Sequence, residues 1–217
     1  MNVFVLDVSI PQLTQECEYY LSLISLERRN KICKFRYIKD QMLSLSSELM
    51  MRYIISQELS IPFQKITFSI HKSGKLFLEG YPNYHFSISH SEKKVAFVSD
   101  ITPVGIDIEK EGKSLESVAK RYFHPDELRI HKDNNFTNRD FYRIWTAKEA
   151  YVKLLGIGIT DEFSLFSIFS SELQPRLHTI IMQDYVISAM ASKPIEQPLP
   201  IQYFSTGELL SGIKSIL

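Results

Sequence analysis

The sequence predicts an α+β protein built as two similar halves. A long helix followed by several short strands occurs twice along the chain. The 217 residues correspond to between one and two domains at about 150 residues each, and such a chain buries a core without staples. Apolar residues make up 44% and charged residues 23%, ordinary globular values that exclude global disorder. The halves are assigned to residues 1–103 and 104–217, each a long helix packed on a small, mostly antiparallel sheet.

Residues 2–8, NVFVLDV, read as a buried strand, and 14–27 and 40–59 as helices. In the second helix Met42, Leu45, Leu49 and Tyr53 recur at spacings of three and four, a core-facing stripe, and Pro62 follows it. Short strands follow at 65–71, 75–80, 84–90 and 95–100, the first two joined by a Ser73-Gly74 turn. After a break at Ile101-Thr102-Pro103, VGIDIE at 104–109 is another strand. Helices are expected at 114–122 and 139–155, with Gly156 and Gly158 stopping the latter. FSLFSIF at 163–169 and YVISAMAS at 185–192 look like strands, and Pro194, Pro198 and Pro200 mark an extended arm. Ser205 with Glu208 forms a candidate capping box for a short last helix.

Lysine plus arginine equals aspartate plus glutamate at 25 each, which argues against bulk nucleic-acid binding. Cys17 and Cys33 make neither a disulfide framework nor a zinc pattern, as in a reducing compartment. The start, MNVFVLDVSIP, has no basic segment ahead of its short apolar run, and no stretch reaches the roughly 18–20 apolar residues of a membrane helix. A cytoplasmic location without membrane contact is expected.

In VGIDIE the two isoleucines, Ile106 and Ile108, alternate with Asp107 and Glu109, so on a strand both carboxylates share the face opposite the core. Their Cα atoms would lie roughly 6–7 Å apart, which suits a hard cation with oxygen ligands; the pair equally fits a solvated strand edge. In YRIWTAKEAYVK, Trp145, Glu149 and Lys153 stand at successive i, i+4 positions. Ile144, Ala147, Tyr151 and Leu154 form a separate apolar stripe. One face then packs while the other presents carboxylate, ammonium and indole, or simply carries a surface Glu–Lys pair worth a few tenths of a kcal/mol. YHFSISHS ends a half-buried strand with Ser89, His90 and Ser91, donors suited to phosphate oxygens or to a hairpin end. Arg28, Arg29, Lys31, Lys34, Arg36 and Lys39 form a local basic run, either a solvated face or, with Lys75, an anion site. No P-loop, dinucleotide-binding glycine motif or nucleophile elbow occurs. Carboxylates for a metal with lysine, histidine and serine for phosphates fit phosphoryl-type transfer.

FSISHS (86–91), VGIDIEK (104–110), AKRYFHPDE (119–127) and WTAKEAYVK (145–153) together resemble the 4'-phosphopantetheinyl transferases, specifically the surfactin-synthetase-activating type with two pseudo-symmetric halves. The resemblance covers most of the chain and is weakest after about residue 157. It implies transfer of the 4'-phosphopantetheine arm of coenzyme A to a serine of an apo acyl, peptidyl or aryl carrier protein, with release of 3',5'-ADP, by a magnesium-dependent monomer (manganese as a substitute). It also implies a cleft between the halves as the active site. Asp107, Glu109 and Glu149 match the family's metal carboxylates, and Lys153 the lysine on the diphosphate. Arg28, Lys31, Ser44, Lys75, Ser89 and His90 fall where the family contacts coenzyme A, and Lys148, which matches the lysine before the glutamate, is expected to bind the cofactor as well. His90 is expected to donate to phosphate and Glu149 to act as the base.

Leu43 replaces a common arginine, Leu76 a common proline, and Gly156-Ile157-Gly158-Ile159 lacks the family's lysine. Carrier docking is expected at 111–127, where Lys113, Lys120 and Arg121 with Tyr122 and Phe123 would meet an acidic carrier, the alternative being an ordinary helix with a packed Phe123. The competing readings are a non-catalytic coenzyme A- or carrier-binding module and a magnesium-dependent phosphodiesterase.

Overall fold

The computed structural model describes residues 1–113, 115–131, 136–158, 161–196 and 199–217. Ser114 of the expected helix, Ile159 of the glycine stretch and Pro198 of the arm lie outside the described residues, as does the side chain of His131.

The first half begins with β1 (Asn2–Asp7). The helix expected at 14–27 is instead α1 (Ile10–Gln15) and α2 (Cys17–Ser22), and the basic run then starts α3 (Leu26–Cys33). Ser25 explains the restart: its backbone is extended and its hydroxyl accepts from the Arg28 N–H, capping a new helix. The long α4 (Ile38–Leu59) follows. Its predicted stripe is buried at Met42, Leu45 and Leu49, but Glu48 and Arg52 are buried too, joined by a 2.7 Å ion pair. The chain continues through β2 (Phe68–Ile70), β3 (Leu76–Leu78), β4 (His85–Ser91) and β5 (Lys94–Asp100). Gly74 makes the β2–β3 turn at φ +89°, where a side chain is disfavoured.

The second half begins with β6 (Val104–Lys110), followed by α5 (Glu116–Tyr122), α6 (Pro125–His131) and α7 (Asn138–Leu155). A capping box between Thr137 and Asp140 opens α7, and Gly156 closes it at φ +74°. Then come β7 (Leu177–Met182), β8 (Tyr185–Ala191), β9 (Ile201–Ser205) and α8 (Thr206–Ile216), whose Ser205–Glu208 capping box is present.

The fold is α+β with two halves, as predicted. One sheet has the order β4-β5-β1-β9 and the other β6-β8-β7, with β2-β3 as a separate hairpin. Among the described residues all pairings are antiparallel except β1 with β9. One face of the first sheet, with Phe4, Leu6, Phe86, Val95 and Phe97, packs against α4. Its other face, with Val3, Val5, Ala96 and Val98, packs against Val104, Ile106, Ile108, Ile187 and Ala189 of the second sheet. The far face of the second sheet carries α7, through Ala150, Leu154 and Met190. The order of layers is helix, sheet, sheet, helix, and the isoleucines of VGIDIE are buried between the sheets as their alternation predicts. No helix among the described residues is long and apolar enough to cross a membrane.

Two departures from the expected elements have clear causes. The arm near the C-terminus contains β9, which pairs with β1 from Val3↔Ile201 to Asp7↔Ser205, so residues 201–216 return to the first sheet. Phe204 then lies on Phe4 at 6.3 Å. The strand expected at 163–169 is absent: Asp161–Leu165 is a 3-10 turn. The backbone beyond it is held by a buried ion pair, with Lys148 Nζ donating to the Phe166 carbonyl at 2.7 Å and the Ile168 N–H donating to Glu127 at 2.8 Å. Those groups are therefore unavailable to a strand ladder.

Candidate active site

The site forms where β4, β6 and α7 meet. A Cβ built on Gly105 would lie 2.0 Å from the Ala150 carbonyl oxygen and 2.4 Å from the Leu154 nitrogen, so only glycine allows α7 to lie this close to β6. That approach sets Lys153 of α7 against Asp107 of β6: Nζ donates to Oδ1 at 2.6 Å and to the Ser89 hydroxyl at 2.8 Å. Ser89 itself donates to Asp107 Oδ1 at 2.7 Å. Asp107 is 3% exposed, and its second oxygen, Oδ2, is buried without a hydrogen-bond partner. An orphaned carboxylate oxygen is costly unless a cation or water completes it.

Glu109 accepts from Ser91 at 2.9 Å. Burial, then the charge of Asp107, pushes its carboxyl above the ordinary value. Glu149 is raised further, to about 7, first by burial and then by Asp107, with Glu109 adding and Lys153 opposing. The three carboxylates thus share one electrostatic neighbourhood. Among the described residues no three His, Cys, Asp or Glu side chains form a ready-made metal cage.

His90 faces solvent at the end of β4. Partial desolvation holds its imidazole below the ordinary value, with Lys153 and Arg28 contributing the same sign. Arg28 is itself held, its guanidinium donating to Glu48 at 3.0 Å and to the Ser44 hydroxyl at 3.0 Å. Lys31 is exposed one turn along α3 from Arg28. Arg29 and Lys39 of the basic run pair with Glu18 and Glu92. Lys75 donates to the carbonyls of Val104 and Leu154, both at 3.0 Å, bridging the hairpin turn to the second half. Burial lowers its ammonium to about 8. Beside it a groove of about 300 Å³ runs along Ser73–Leu76, Phe86, Ile88, Val152 and Lys153.

Three sequence expectations are corrected. Lys148, expected to bind the cofactor, is fully buried and paired at 2.9 Å with an equally buried Glu127. Trp145 is not presented beside Glu149; it packs among Tyr122, Phe141 and Phe163 at 6.0–6.4 Å, because α5 and the 3-10 turn close over that side of α7. In the expected docking patch Phe123 is 2% exposed and stacked on Phe141, so it belongs to the core, while Lys120 is exposed and paired with Glu116. Sequence reasoning missed Gly105, Glu127 and the role of Ser91. Gly105 lies inside VGIDIE, and the close approach of α7 is not visible from that motif alone.

The sequence model of the 4'-phosphopantetheinyl transferase superfamily matches residues 103–194, and that of the 4'-phosphopantetheinyl transferase N-terminal domain matches residues 11–102. The chain is 32% identical over 170 residues to the 4'-phosphopantetheinyl transferase Sfp of Bacillus subtilis (strain 168), covering 77% of this chain and 76% of that one. The chain belongs to the 4'-phosphopantetheinyl transferase family. It is an enzyme of the Sfp type. Similarity extends to the 4'-phosphopantetheinyl transferase gsp of Aneurinibacillus migulanus, at 33% over 155 residues (70% of this chain, 65% of that one). It extends also to the L-aminoadipate-semialdehyde dehydrogenase-phosphopantetheinyl transferase of Mus musculus, at 29% over 168 residues (69% of this chain, 54% of that one). The two matched regions meet between residues 102 and 103, at the turn joining β5 to β6.

Proposed function

We propose that this transferase moves the 4'-phosphopantetheine arm from coenzyme A to a serine hydroxyl of an apo carrier protein and releases 3',5'-ADP. The observation that carries the reading is Asp107: one carboxylate oxygen is engaged by Lys153 and Ser89, the other is buried and unpartnered, and the charge of the group raises both Glu109 and Glu149. Such a donor set fits a magnesium ion, with Asp107, Glu109 and Glu149 as the residues that would hold it. Bound there, the ion supplies charge neutralisation for the diphosphate.

The chain's own groups have separable tasks. The serine oxygen bonds to the phosphorus bearing the pantetheine arm, and the bond from that phosphorus to the bridging oxygen breaks. Lys153, whose ammonium already sits at the carboxylate cluster, stabilises the phosphate left on the nucleotide. Glu149 takes the serine proton, its carboxyl sharing the electrostatic neighbourhood of Asp107 and Lys153. His90 donates to a phosphate oxygen from the solvent side, and Arg28 and Lys31 offer an anion surface beside it, with the buried Ser44 hydroxyl holding Arg28 in place. The groove along Ser73–Leu76, near Lys75, receives an extended part of coenzyme A.

The test is to incubate the protein with coenzyme A, magnesium and an apo carrier and to weigh the carrier. A gain of one phosphopantetheine arm is expected, lost in Glu149→Gln while the fold is retained. Near-normal turnover by that variant removes Glu149 from the proton step. Hydrolysis of coenzyme A to 3',5'-ADP with no gain on any carrier identifies a phosphodiesterase instead.

A further inference from the structure

The two halves face each other along β4 and β6 through serine side chains. Ser87, Ser89 and Ser91 stand at every second position of β4, so their hydroxyls share one face of the strand. Each bonds to β6 in step along the chain. The Ile106 N–H donates to Ser87 at 3.2 Å, Ser89 donates to Asp107, and Ser91 donates to Glu109 Oε2 at 2.9 Å. Ser91 also accepts the Lys110 N–H at 3.1 Å. Its hydroxyl is therefore committed twice, to the backbone after Glu109 and to the carboxylate itself. A hydroxyl with its one donor on a carboxylate and an acceptor site on the adjacent backbone fixes the carboxylate's direction.

We propose that Ser91 is a positioning residue for divalent-ion binding: it aims Glu109 at the cluster formed with Asp107 and Glu149, so that the first half orients a ligand carried by the second. This rests on the metal assignment made above and extends it to a residue that does not touch the ion. Ser87 supplies the internal comparison, because it occupies the same seam and bonds only to backbone. A purely structural role in joining the halves would make any loss of Mn2+ affinity follow the loss of melting temperature in both serine variants.

The experiment is a titration of Mn2+ into the protein saturated with coenzyme A, read by the electron spin resonance signal of free Mn2+, with melting temperatures measured in parallel. Ser91→Ala should weaken Mn2+ binding about tenfold, the lower end of the range for lost outer-sphere partners. Ser87→Ala should stay within about twofold, and Ser91→Thr, which keeps the hydroxyl, should restore most of the affinity. Affinity for 3',5'-ADP without metal should be unchanged in all three. Equal Mn2+ affinity in Ser91→Ala and the parent overturns the positioning role alone. An equal loss in Ser87→Ala overturns it too, by reducing it to seam stability. Absence of Mn2+ binding by the parent protein overturns the metal assignment itself, and with it this proposal.

Discussion

Replacing Lys148 by methionine tests whether this lysine supports the fold or serves the substrate. Lys148 and Glu127 are both fully buried. Glu127 accepts from Lys148 Nζ at 2.9 Å, from the His124 N–H at 2.8 Å and from the Ile168 N–H at 2.8 Å, and Lys148 also donates to the Phe166 carbonyl and lies 4.1 Å from the Phe166 ring centroid. Methionine preserves the stem but leaves the Glu127 charge uncompensated in the interior. Removing one member of a buried ion pair costs roughly 3–5 kcal/mol. At about 2–4 °C per kcal/mol for a chain of this size, the melting temperature should fall by roughly 6–20 °C. Glu127→Gln added to Lys148→Met should regain part of the loss, since no unpaired charge then remains. At a temperature where the variant is folded, its KM for coenzyme A should match the parent's. Differential scanning calorimetry and steady-state kinetics measure the two quantities. An unchanged melting temperature with a raised KM would show that Lys148 serves the substrate and that the buried pair is not its main task.

Other perturbations address the site. Gly105→Ala forces a methyl group against the Ala150 carbonyl and the Leu154 nitrogen, backbone atoms that cannot yield without moving α7; transfer should drop by about a hundredfold, the usual effect of an ångström-scale misplacement, and a variant with parental activity would show that this contact is dispensable. Glu149 adds a pH dependence to the metal-free protein. Its folded carboxyl titrates at about 7 against an ordinary 4.5, so between those values the native state holds more protons than the unfolded chain, and stability falls as pH rises from 4.5 to 7. Glu149→Gln should therefore be more stable than the parent at pH 8 and converge with it near pH 4.5, as read from thermal unfolding; a constant offset across that range contradicts the assigned shift. Arg28→Met should raise the KM for coenzyme A several-fold and leave kcat little changed, because Arg28 is bonded at the Ser44 side of the site and not at the carboxylates; a loss confined to kcat argues for a role at the reacting phosphate.

The local elements were largely legible along the chain because their causes are local. Alternation in VGIDIE gave the strand and put its carboxylates opposite the buried isoleucines. The Ser205 capping box, and Gly156 at the end of α7, follow from residues within one turn. The sequence by itself also singled out Asp107, Glu109, Glu149 and Lys153 as candidates, since they fall in two short motifs. Only the tertiary structure decided which of those residues share a site. Helical periodicity could not distinguish Lys148, sealed in a buried pair, from Glu149, one residue on and directed to the cluster. The same holds for residues 163–169, whose mostly apolar run reads as a strand until Glu127 and Lys148 take up backbone groups within it. The pairing of β9 with β1 joins segments almost 200 residues apart, as Val3 opposite Ile201 shows. These features depend on partners distant in sequence, and hydrogen bonding, desolvation and close packing act on distance in space, which a linear pattern does not encode.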